Sequence, residues 1–292
     1  SRRQRQMCIR DRLYTACLIA GLAIVGSGCS SKSENPDARN LLTMAENDFG
    51  SGNYASSIAL LDSLQKTFPA ETALQREAMA MRPKVIEAEA TKALAAVDST
   101  YNADIETLKS LKTQMKWIKT PGMIEGYWIA PELYRPDFMN TTGIEARVSE
   151  IGEFYIVSSV NPAGNLKHQS IGLKTSAGNA RTQNVAYDGE SNYRIGGAEV
   201  ITFSPAQSDT IGVIARNAVA ANQVAGASVI FYGVRGEKSV KISPAVLKGV
   251  GKAYAYSAAT IRARDLQVER ERLNRTIEIA RRQQQSTAAA DR

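Results

Sequence analysis

Residues 84–118 read "KVIEAEATKALAAVDSTYNADIETLKSLKTQMKWI" and contain neither Gly nor Pro. Two rows of mostly apolar residues recur in this stretch at seven-residue intervals. One row is Leu94, Tyr101, Leu108 and Met115, and the other is Val97, Asp104, Leu111 and Ile118. Such rows predict a long helix with a coiled-coil seam, in which Asp104 interrupts one layer and Ile105 takes its place. Because Pro83 is expected to start or kink the helix, we predict it over residues 83–120.

A second long helix is predicted over residues 244–286, with a frayed tail at residues 287–292. Its apolar stripe consists of Leu247, Val250, Tyr254, Ile261, Val268, Leu273, Ile277 and Ala280. Residues 262–282 hold seven Arg and four acidic residues in mixed order, which is typical of a solvated helix face with i,i+4 ion pairs. We expect the two helices to pair as an antiparallel coiled-coil stalk. The alternatives are packing along the intervening domain and pairing with another copy of the chain.

Residues 121–243 lie between these helices and change in character. Short β-prone runs are separated by turn residues such as Asn161-Pro162 and Asp188-Gly189, which predicts a small antiparallel β-sandwich or barrel. The predicted strands are "IEARVS", "EFYIVSSV", "QSIGLKT", "TQNVAYD", "AEVITFS", "ASVIFYGV" and "SVKIS". One helix interrupts them at "SDTIGVIARNAVAA", with Ser208 as its expected N-cap. The fold class is therefore predicted as α+β, with the β-rich domain inserted between the long helices.

A helical hairpin is predicted over residues 36–82. Asn35 and Pro36 provide an N-cap and a first-turn proline, and "GSGN" at residues 50–53 separates two apolar helical stripes. The segment "AENDFGSGNYASSIALLDSLQKTFP" resembles a tetratricopeptide (TPR) unit of outer-membrane assembly lipoproteins. The matching residues are Ala45, Phe49, Gly52, Tyr54, Ile58, Leu61 and Pro69, and Ser57 stands where such repeats usually have Ala. The resemblance implies a partner-binding groove, and the alternative is a hairpin packed on neighbouring helices.

The N-terminal segment indicates export. Residues 13–25, "LYTACLIAGLAIV", are uncharged, follow Arg10 and Arg12, and are too short to span a bilayer, so residues 1–28 are interpreted as a signal peptide. This interpretation leaves open whether residues 1–12 are native. The following "VGSGC" resembles the lipobox of bacterial lipoproteins, although Gly26 replaces the usual Leu. The resemblance implies a lipid on Cys29, with residues 29–35 as a tether.

Charge and cysteine content argue against several function classes once this segment is removed. The chain carries +7, but residues 1–28 hold five Arg and one acid, so the remainder carries only +3. That excess is dispersed, and we expect no nucleic-acid partner. Cys8 and Cys17 leave with the signal peptide, which leaves no pair for a disulfide. No further segment has the length and hydropathy of a membrane-spanning helix.

The sequence contains no recognisable catalytic or metal-binding motif. His168 is the single histidine and is expected to be a half-exposed strand or turn residue. A Ser-His-Asp triad would need it, yet no G-x-S-x-G motif is present. The acids of the β-rich segment are scattered: Glu145, Glu150, Glu153, Asp188, Glu190, Glu199 and Asp209. We therefore expect no enzyme activity, no metal site and no cofactor.

The stretch "EGYWIAPELYRPDF", residues 125–138, is rich in aromatic residues. Its candidate binding residues are Tyr127, Trp128, Tyr134, Arg135 and Phe138. The alternative is that they fill the junction between the stalk and the β-rich domain.

The layout resembles that of envelope lipoproteins of Bacteroidetes-type bacteria. This implies an outer-membrane lipoprotein, on the periplasmic or surface side, with a scaffolding or protein-binding role. The second hypothesis is a surface module that binds glycan or peptide through the aromatic loop.

Overall fold

The structure is a computed structural model that describes residues 34–290. The predicted signal peptide, Cys29 and residues 291–292 lie outside these described residues. Within residues 34–290, no helix combines the length and the hydropathy needed to cross a membrane. The fold is mixed α and β, with two antiparallel sheets.

Five α-helices are present in the described part of the chain: α1 (Pro36–Gly50), α2 (Tyr54–Thr67), α3 (Thr72–Thr113), α4 (Pro205–Ala220) and α5 (Pro244–Ala290). The predicted start of α1 is confirmed, because Asn35 Oδ1 accepts hydrogen bonds from the N–H groups of Asp37 and Ala38 at 2.9 and 3.4 Å. Helices α1 and α2 pack against each other and against the first turns of α3.

Helix α3 differs from the prediction at both ends. It begins at Thr72 and runs through Pro83, instead of starting there. An internal proline costs about 3 kcal/mol in lost hydrogen bonding and strain. Leu74, Ala78 and Val85, on both sides of Pro83, are buried against α1 and α2, and this packing keeps the helix continuous. The helix ends at Thr113, not at residue 120, because residues 116–118 pair as a strand.

Helices α3 and α5 pack against each other over most of their length. Ion pairs join Glu87 to Arg281 at 2.7 Å, Asp98 to Arg270 at 2.5 Å and Asp104 to Arg262 at 2.6 Å. As the residue number rises along α3 it falls along α5, so the two helices are antiparallel. Between these ion pairs, Ala90 of α3 packs with Leu273 and Ile277 of α5.

Ten strands form the two sheets in residues 34–290: β1 (Lys116–Ile118), β2 (Tyr127–Ile129), β3 (Gly143–Ser149), β4 (Phe154–Val160), β5 (His168–Thr175), β6 (Gly178–Arg181), β7 (Asn192–Ile195), β8 (Ala198–Phe203), β9 (Ser228–Gly233) and β10 (Gly236–Lys241). Sheet A has the order β1-β2-β3-β4-β8-β7, and sheet B has the order β10-β9-β5-β6. Strands β1, β2, β6 and β7 were not predicted, and the predicted strand "TQNVAYD" is a loop.

One hydrophobic core joins both sheets to the helices. The inner face of sheet A contributes Ala146, Ile156 and Phe203, and sheet B contributes Ile171 and Phe231. Helix α4 adds Ile211, Ala215 and Ala218, and the first turns of α5 add Leu247, Val250, Ala253 and Tyr256. The residues Leu108 and Leu111 near the end of α3 pack on the same core. The end of α3 and the beginning of α5 are therefore embedded in the β-rich part.

The N-cap of α4 is Ser204, not Ser208 as the sequence predicted. The N–H of Ser204 donates to Gln207 Oε1 at 2.9 Å, and Pro205 occupies the first helical turn. Ser208 lies one turn further on and is fully buried. Its hydroxyl accepts the N–H of Ile156 in β4 at 3.0 Å and so ties the helix to sheet A. Pro205 is compatible with the first turn, which is why the helix begins before Ser208.

Candidate functional site

The candidate binding residues of the aromatic segment divide between the two faces of sheet A. In the β2–β3 pairing, Tyr127 is opposite Ser149 and Trp128 is opposite Val148. Neighbouring residues of a strand point to opposite faces of the sheet. Tyr127 thus lies on the outer face, and Trp128 points toward the helices.

Trp128 is held in an aromatic cluster at the junction of helices and sheet. Its ring centroid is 5.1 Å from that of Trp117 and 5.8 Å from that of Tyr256 in α5. The Lys112 ammonium of α3 lies 5.0 Å from the Trp128 ring centroid. At Gly126, a Cβ atom would lie 2.2 Å from Trp117, so a side chain there would displace this cluster. The contacts of Trp128 are those of a junction residue.

The other three candidate residues are spread along the following loop. Tyr134 is half-buried, with the Lys116 ammonium 4.1 Å from its ring centroid. Phe138 is buried against Val157 and Val200 on the outer face of sheet A. Arg135 is exposed, and its backbone N–H donates to Glu145 Oε1 at 3.2 Å. The structure does not bring these residues together with Trp128 into one aromatic platform.

An ion pair is at the centre of the outer face of sheet A. Glu145 and Arg147 are two residues apart on β3 and share that face, and Arg147 donates from Nε and Nη2 to Glu145 Oε2 at 2.9 and 2.6 Å. The Glu145 side chain is 1% exposed. The Arg147 guanidinium carbon lies 4.1 Å from the Tyr127 ring centroid. Burial has the largest single effect and disfavours the charge of Arg147. The attraction and hydrogen bonding of Glu145, together with the nearby Tyr127 and Tyr155, outweigh burial and raise the pKa of Arg147.

A groove of about 490 Å³ opens above this pair, and we call it the outer-face groove. Its floor consists of Tyr127, Arg147, Tyr155 and Thr202 from strands β2, β3, β4 and β8. Burial raises the pKa of the Tyr155 hydroxyl, which also contacts Arg147, so the phenol is neutral at physiological pH. The rim carries the carboxylates of Glu125, Glu153 and Asp188.

The electrostatics of the outer-face groove favour neutral or cationic ligands. Arg147 is compensated by Glu145, and none of the three rim carboxylates forms an ion pair with another described residue. Asp188 accepts the N–H groups of Asn192 and Glu190, each at 2.9 Å. These backbone hydrogen bonds lower the pKa of Asp188 and keep it ionised. An anionic ligand would meet uncompensated negative charge.

A second polar cluster joins the two sheets. His168 of β5 is 1% exposed, so the expectation of a half-exposed residue was wrong. Strand β5 lies between β9 and β6, and the imidazole faces sheet A with Nε2 3.0 Å from the Ser158 hydroxyl. Its ring centroid is 5.6 Å from that of Phe231. Burial lowers the pKa of His168 to about 4.

The geometry of this cluster differs from that of a catalytic triad. In a triad, a carboxylate accepts a hydrogen bond from the imidazole Nδ1, and substrate reaches the serine hydroxyl. Here Glu199 accepts the backbone N–H groups of His168 at 2.6 Å and Lys167 at 2.9 Å, and Nδ1 has no hydrogen-bond partner among the described residues. Ser158 is fully buried. The arrangement connects the two sheets.

The comparisons with known proteins give no family assignment. Protein-family models, curated proteins and solved structures were compared with the chain, and none matches significantly. Among residues 34–290, no group of three or more His, Cys, Asp or Glu side chains is placed to hold a metal ion.

The Glu145–Arg147 pair was missed by sequence reasoning, although a signal for it existed. The strand "IEARVS" alternates, so its Glu and Arg necessarily share one face. Glu153 and Asp188 were treated as scattered, and Glu125 was not considered as a site residue. The three acids come from segments far apart in the chain, and only the fold brings them together.

Proposed function

We propose that this protein is a non-enzymatic outer-membrane lipoprotein of Bacteroidetes-type bacteria, exported and anchored by a lipid on Cys29. Its role is that of a scaffold that presents the β-rich part to a protein partner in the envelope. Acyl chains contribute about 0.8 kcal/mol per buried CH₂ to membrane binding, and two or more chains give a stable anchor.

The arrangement of the two ends of the α3–α5 pair carries this proposal. Glu34 pairs with Arg39, and Arg39 pairs with Glu77 in the first turns of α3 at 2.8 Å. The β-rich core packs instead on the last turns of α3, at Leu108 and Leu111. Helix α3 has 42 residues and is about 60 Å long at 1.5 Å per residue. A lipid close to residue 34 would therefore hold the β-rich part well away from the bilayer.

The finer architecture of this proposal has three parts. Helices α1 and α2 form the TPR-like hairpin, α3 and α5 form the coiled-coil stalk, and the two sheets form the inserted sandwich. The TPR-like interpretation is supported at Ser57, which is fully buried and donates its hydroxyl to the Ala45 carbonyl at 2.8 Å. A small residue is needed at this position for α1 and α2 to approach each other, and the buried hydroxyl has the Ala45 carbonyl as its hydrogen-bond acceptor.

Labelling and proteolysis test the proposal together. Cells that express a C-terminally tagged chain are grown with [³H]palmitate, with Cys29→Ala as the matched control. We expect label in the wild type and none in the variant. The cells are then treated with an added protease. Protection of the tag until the outer membrane is opened would favour a periplasmic scaffold, and loss of the tag from intact cells would favour a surface role. Absence of label from the wild type would contradict the lipid anchor.

The second candidate function is glycan binding, and the outer-face groove favours it. Its lining offers hydroxyl groups of Tyr155, Thr202 and Ser149 beside a fixed guanidinium, and its uncompensated carboxylates can accept sugar hydroxyls. We would measure the binding of neutral oligosaccharides by calorimetry to the wild type and Thr202→Val. A weaker affinity in the variant would favour this function. Identical heats of binding would mean that the oligosaccharide does not bind in the outer-face groove.

A further inference from the structure

A second groove, of about 620 Å³, lies along the side of α5 where this helix passes β4 and the first turns of α4. We call it the α5 groove. Its lining is mostly apolar and comes from the start of β4, the first turns of α4 and three turns of α5. The apolar members are Phe154, Pro205, Tyr254, Ala258, Ile261 and Leu266.

The walls of the α5 groove are fixed by contacts on both sides. The Tyr254 ring packs edge-on against Phe154, with centroids 5.2 Å apart. Gly212 of α4 lies directly beneath the same ring, and a Cβ there would be 2.1 Å from it. Ser257 donates its hydroxyl to the Gly152 carbonyl at 2.6 Å, which ties α5 to the β3–β4 turn. The groove is thus formed before any ligand arrives, which reduces the entropic cost of binding.

Carboxylates border this apolar floor. Glu153, Asp209 and Asp265 line the α5 groove, and none forms an ion pair with another described residue. Among the described residues that line the groove, Arg262 is the one cation, and it is paired with Asp104 of α3 at 2.6 Å. Asp209 accepts only the neutral Tyr254 hydroxyl at 2.8 Å among the described side chains. Glu153 also borders the outer-face groove, so the negative rim continues onto sheet A.

We propose that the α5 groove binds a basic amphipathic helix of a partner protein. This rests on the protein-binding role proposed above and names the chemistry of the partner. The apolar floor requires an apolar stripe, and the rim carboxylates, which form no ion pair with a described residue, favour Lys or Arg beside that stripe. From Tyr254 to Leu266 the groove follows α5 for about 18 Å, which matches a helix of three to four turns. An acidic segment would be repelled, and a bare apolar helix would leave the rim unpaired.

A designed peptide serves as the probe. It has about 18 residues, with Leu at helical i, i+3, i+4 spacing and Lys on both flanks of the stripe. Two controls have the same length: one carries Glu in place of every Lys, and the other has the same composition in scrambled order. Binding to the full chain is measured by fluorescence anisotropy. We expect binding of the Lys peptide alone, with an affinity that falls as salt is raised from about 0.05 to about 0.5 M. Equal binding of the scrambled or Glu peptide would overturn the proposal.

Variants of the groove locate the binding site. The triple substitution Glu153→Gln, Asp209→Asn, Asp265→Asn removes the charge and keeps the polar atoms, and we expect affinity for the Lys peptide to fall roughly tenfold or more. The matched control neutralises three exposed acids elsewhere, Asp137→Asn, Glu190→Gln and Glu237→Gln, and should leave the affinity unchanged. If both triple variants bind alike, the peptide does not use this rim, and the proposal is wrong.

One further variant separates the possible occupants. Ala258 is exposed on α5, so Ala258→Arg should leave the fold intact, as circular dichroism would check, while placing bulk and positive charge in the groove. We expect it to abolish peptide binding. If sedimentation shows instead that the wild type self-associates and Ala258→Arg becomes monomeric without loss of peptide binding, the occupant is a second copy and the proposal fails. These measurements use purified protein, so their outcome is independent of the palmitate labelling that tests the anchor.

Discussion

Asp98 of α3 and Arg270 of α5 are 172 residues apart in the chain and are joined by an ion pair with 2.5 Å between Arg270 Nε and Asp98 Oδ1. The same guanidinium lies 4.5 Å from the ring centroid of Tyr101, one turn further along α3. Arg270 thus contacts two residues of the opposing helix. Together with the ion pairs at Glu87 and Asp104, it fixes which residues of α3 and α5 are opposite each other.

Reversing this ion pair tests the register of the two helices. We expect Asp98→Arg to lower the free energy of unfolding by about 1 kcal/mol, because both side chains are about one-third exposed and attraction becomes repulsion. The double variant Asp98→Arg, Arg270→Asp should recover most of the loss. Urea unfolding provides the measurement. If the loss of unfolding free energy in the double variant equals the sum of the losses in the two single variants, these residues do not face each other.

Trp128 is the clearest test of the aromatic segment. Because it contacts Trp117, Tyr256 and Lys112, we expect Trp128→Ala to cost about 3 kcal/mol of unfolding free energy, the lower end for a large aromatic residue in a core. The control is Tyr187→Ala, since Tyr187 is 59% exposed and should cost less than about 0.5 kcal/mol. A stable Trp128→Ala protein that loses glycan binding would instead support the binding-loop hypothesis.

Two glycines in helices should respond oppositely to alanine. Alanine is favoured over glycine in a helix by about 1 kcal/mol. Gly50 of α1 has open space around its Cβ position, so Gly50→Ala should be neutral or stabilising. At Gly212, by contrast, the added Cβ would meet the Tyr254 ring at 2.1 Å. We therefore expect Gly212→Ala to lower the melting temperature and to disturb peptide binding in the α5 groove. A stabilised Gly212→Ala would show that α4 and α5 do not pack this closely.

The single histidine makes the stability depend on pH. Burial lowers the pKa of His168 from 6.5 to about 4, so the unfolded chain takes up a proton at this site more readily than the folded protein. The contribution of His168 to the free energy of unfolding is complete above pH 6.5. It is lost as the pH falls toward 4, at about 1.4 kcal/mol per pH unit and about 3 kcal/mol in total.

The imidazole resonances of the folded protein report this pKa directly by NMR, and we expect a midpoint near pH 4. The unfolding free energy of His168→Gln should fall less between pH 6.5 and 5 than that of the wild type. A midpoint near 6.5 would mean that the imidazole is not enclosed between the sheets.

The sequence predicts the secondary-structure elements and their packing only where hydrophobic periodicity indicates them. The heptad rows predicted a long α3, and Asp104 was expected to interrupt one apolar layer. The structure gives this aspartate a partner, Arg262, which the sequence contains but whose register it does not reveal. Strands β1 and β2 have three residues each, which is too short for a periodic signal in the sequence. Trp117 was consequently counted as part of the helix.

The candidate sites were less predictable than the helices for a related reason. The α5 groove is lined by residues from β4, α4 and α5, which are brought together by tertiary packing. The acids around it are ordinary surface residues in the sequence, and only the absence of ion-pair partners in the described fold gives them significance. The aromatic segment, which was conspicuous in the sequence, is largely used at the junction of helices and sheet.

The most direct test of the account measures the distance of each end of the molecule from a membrane. A lipidated chain is reconstituted in vesicles that contain acceptor-labelled lipid, with a donor dye on Met44→Cys in α1 or on Val234→Cys between β9 and β10; both side chains are exposed, by 45% and 65%. We predict strong energy transfer from position 44 and weak transfer from position 234. Equal transfer from the two positions would contradict the proposal that the helix pair holds the β-rich part away from the bilayer.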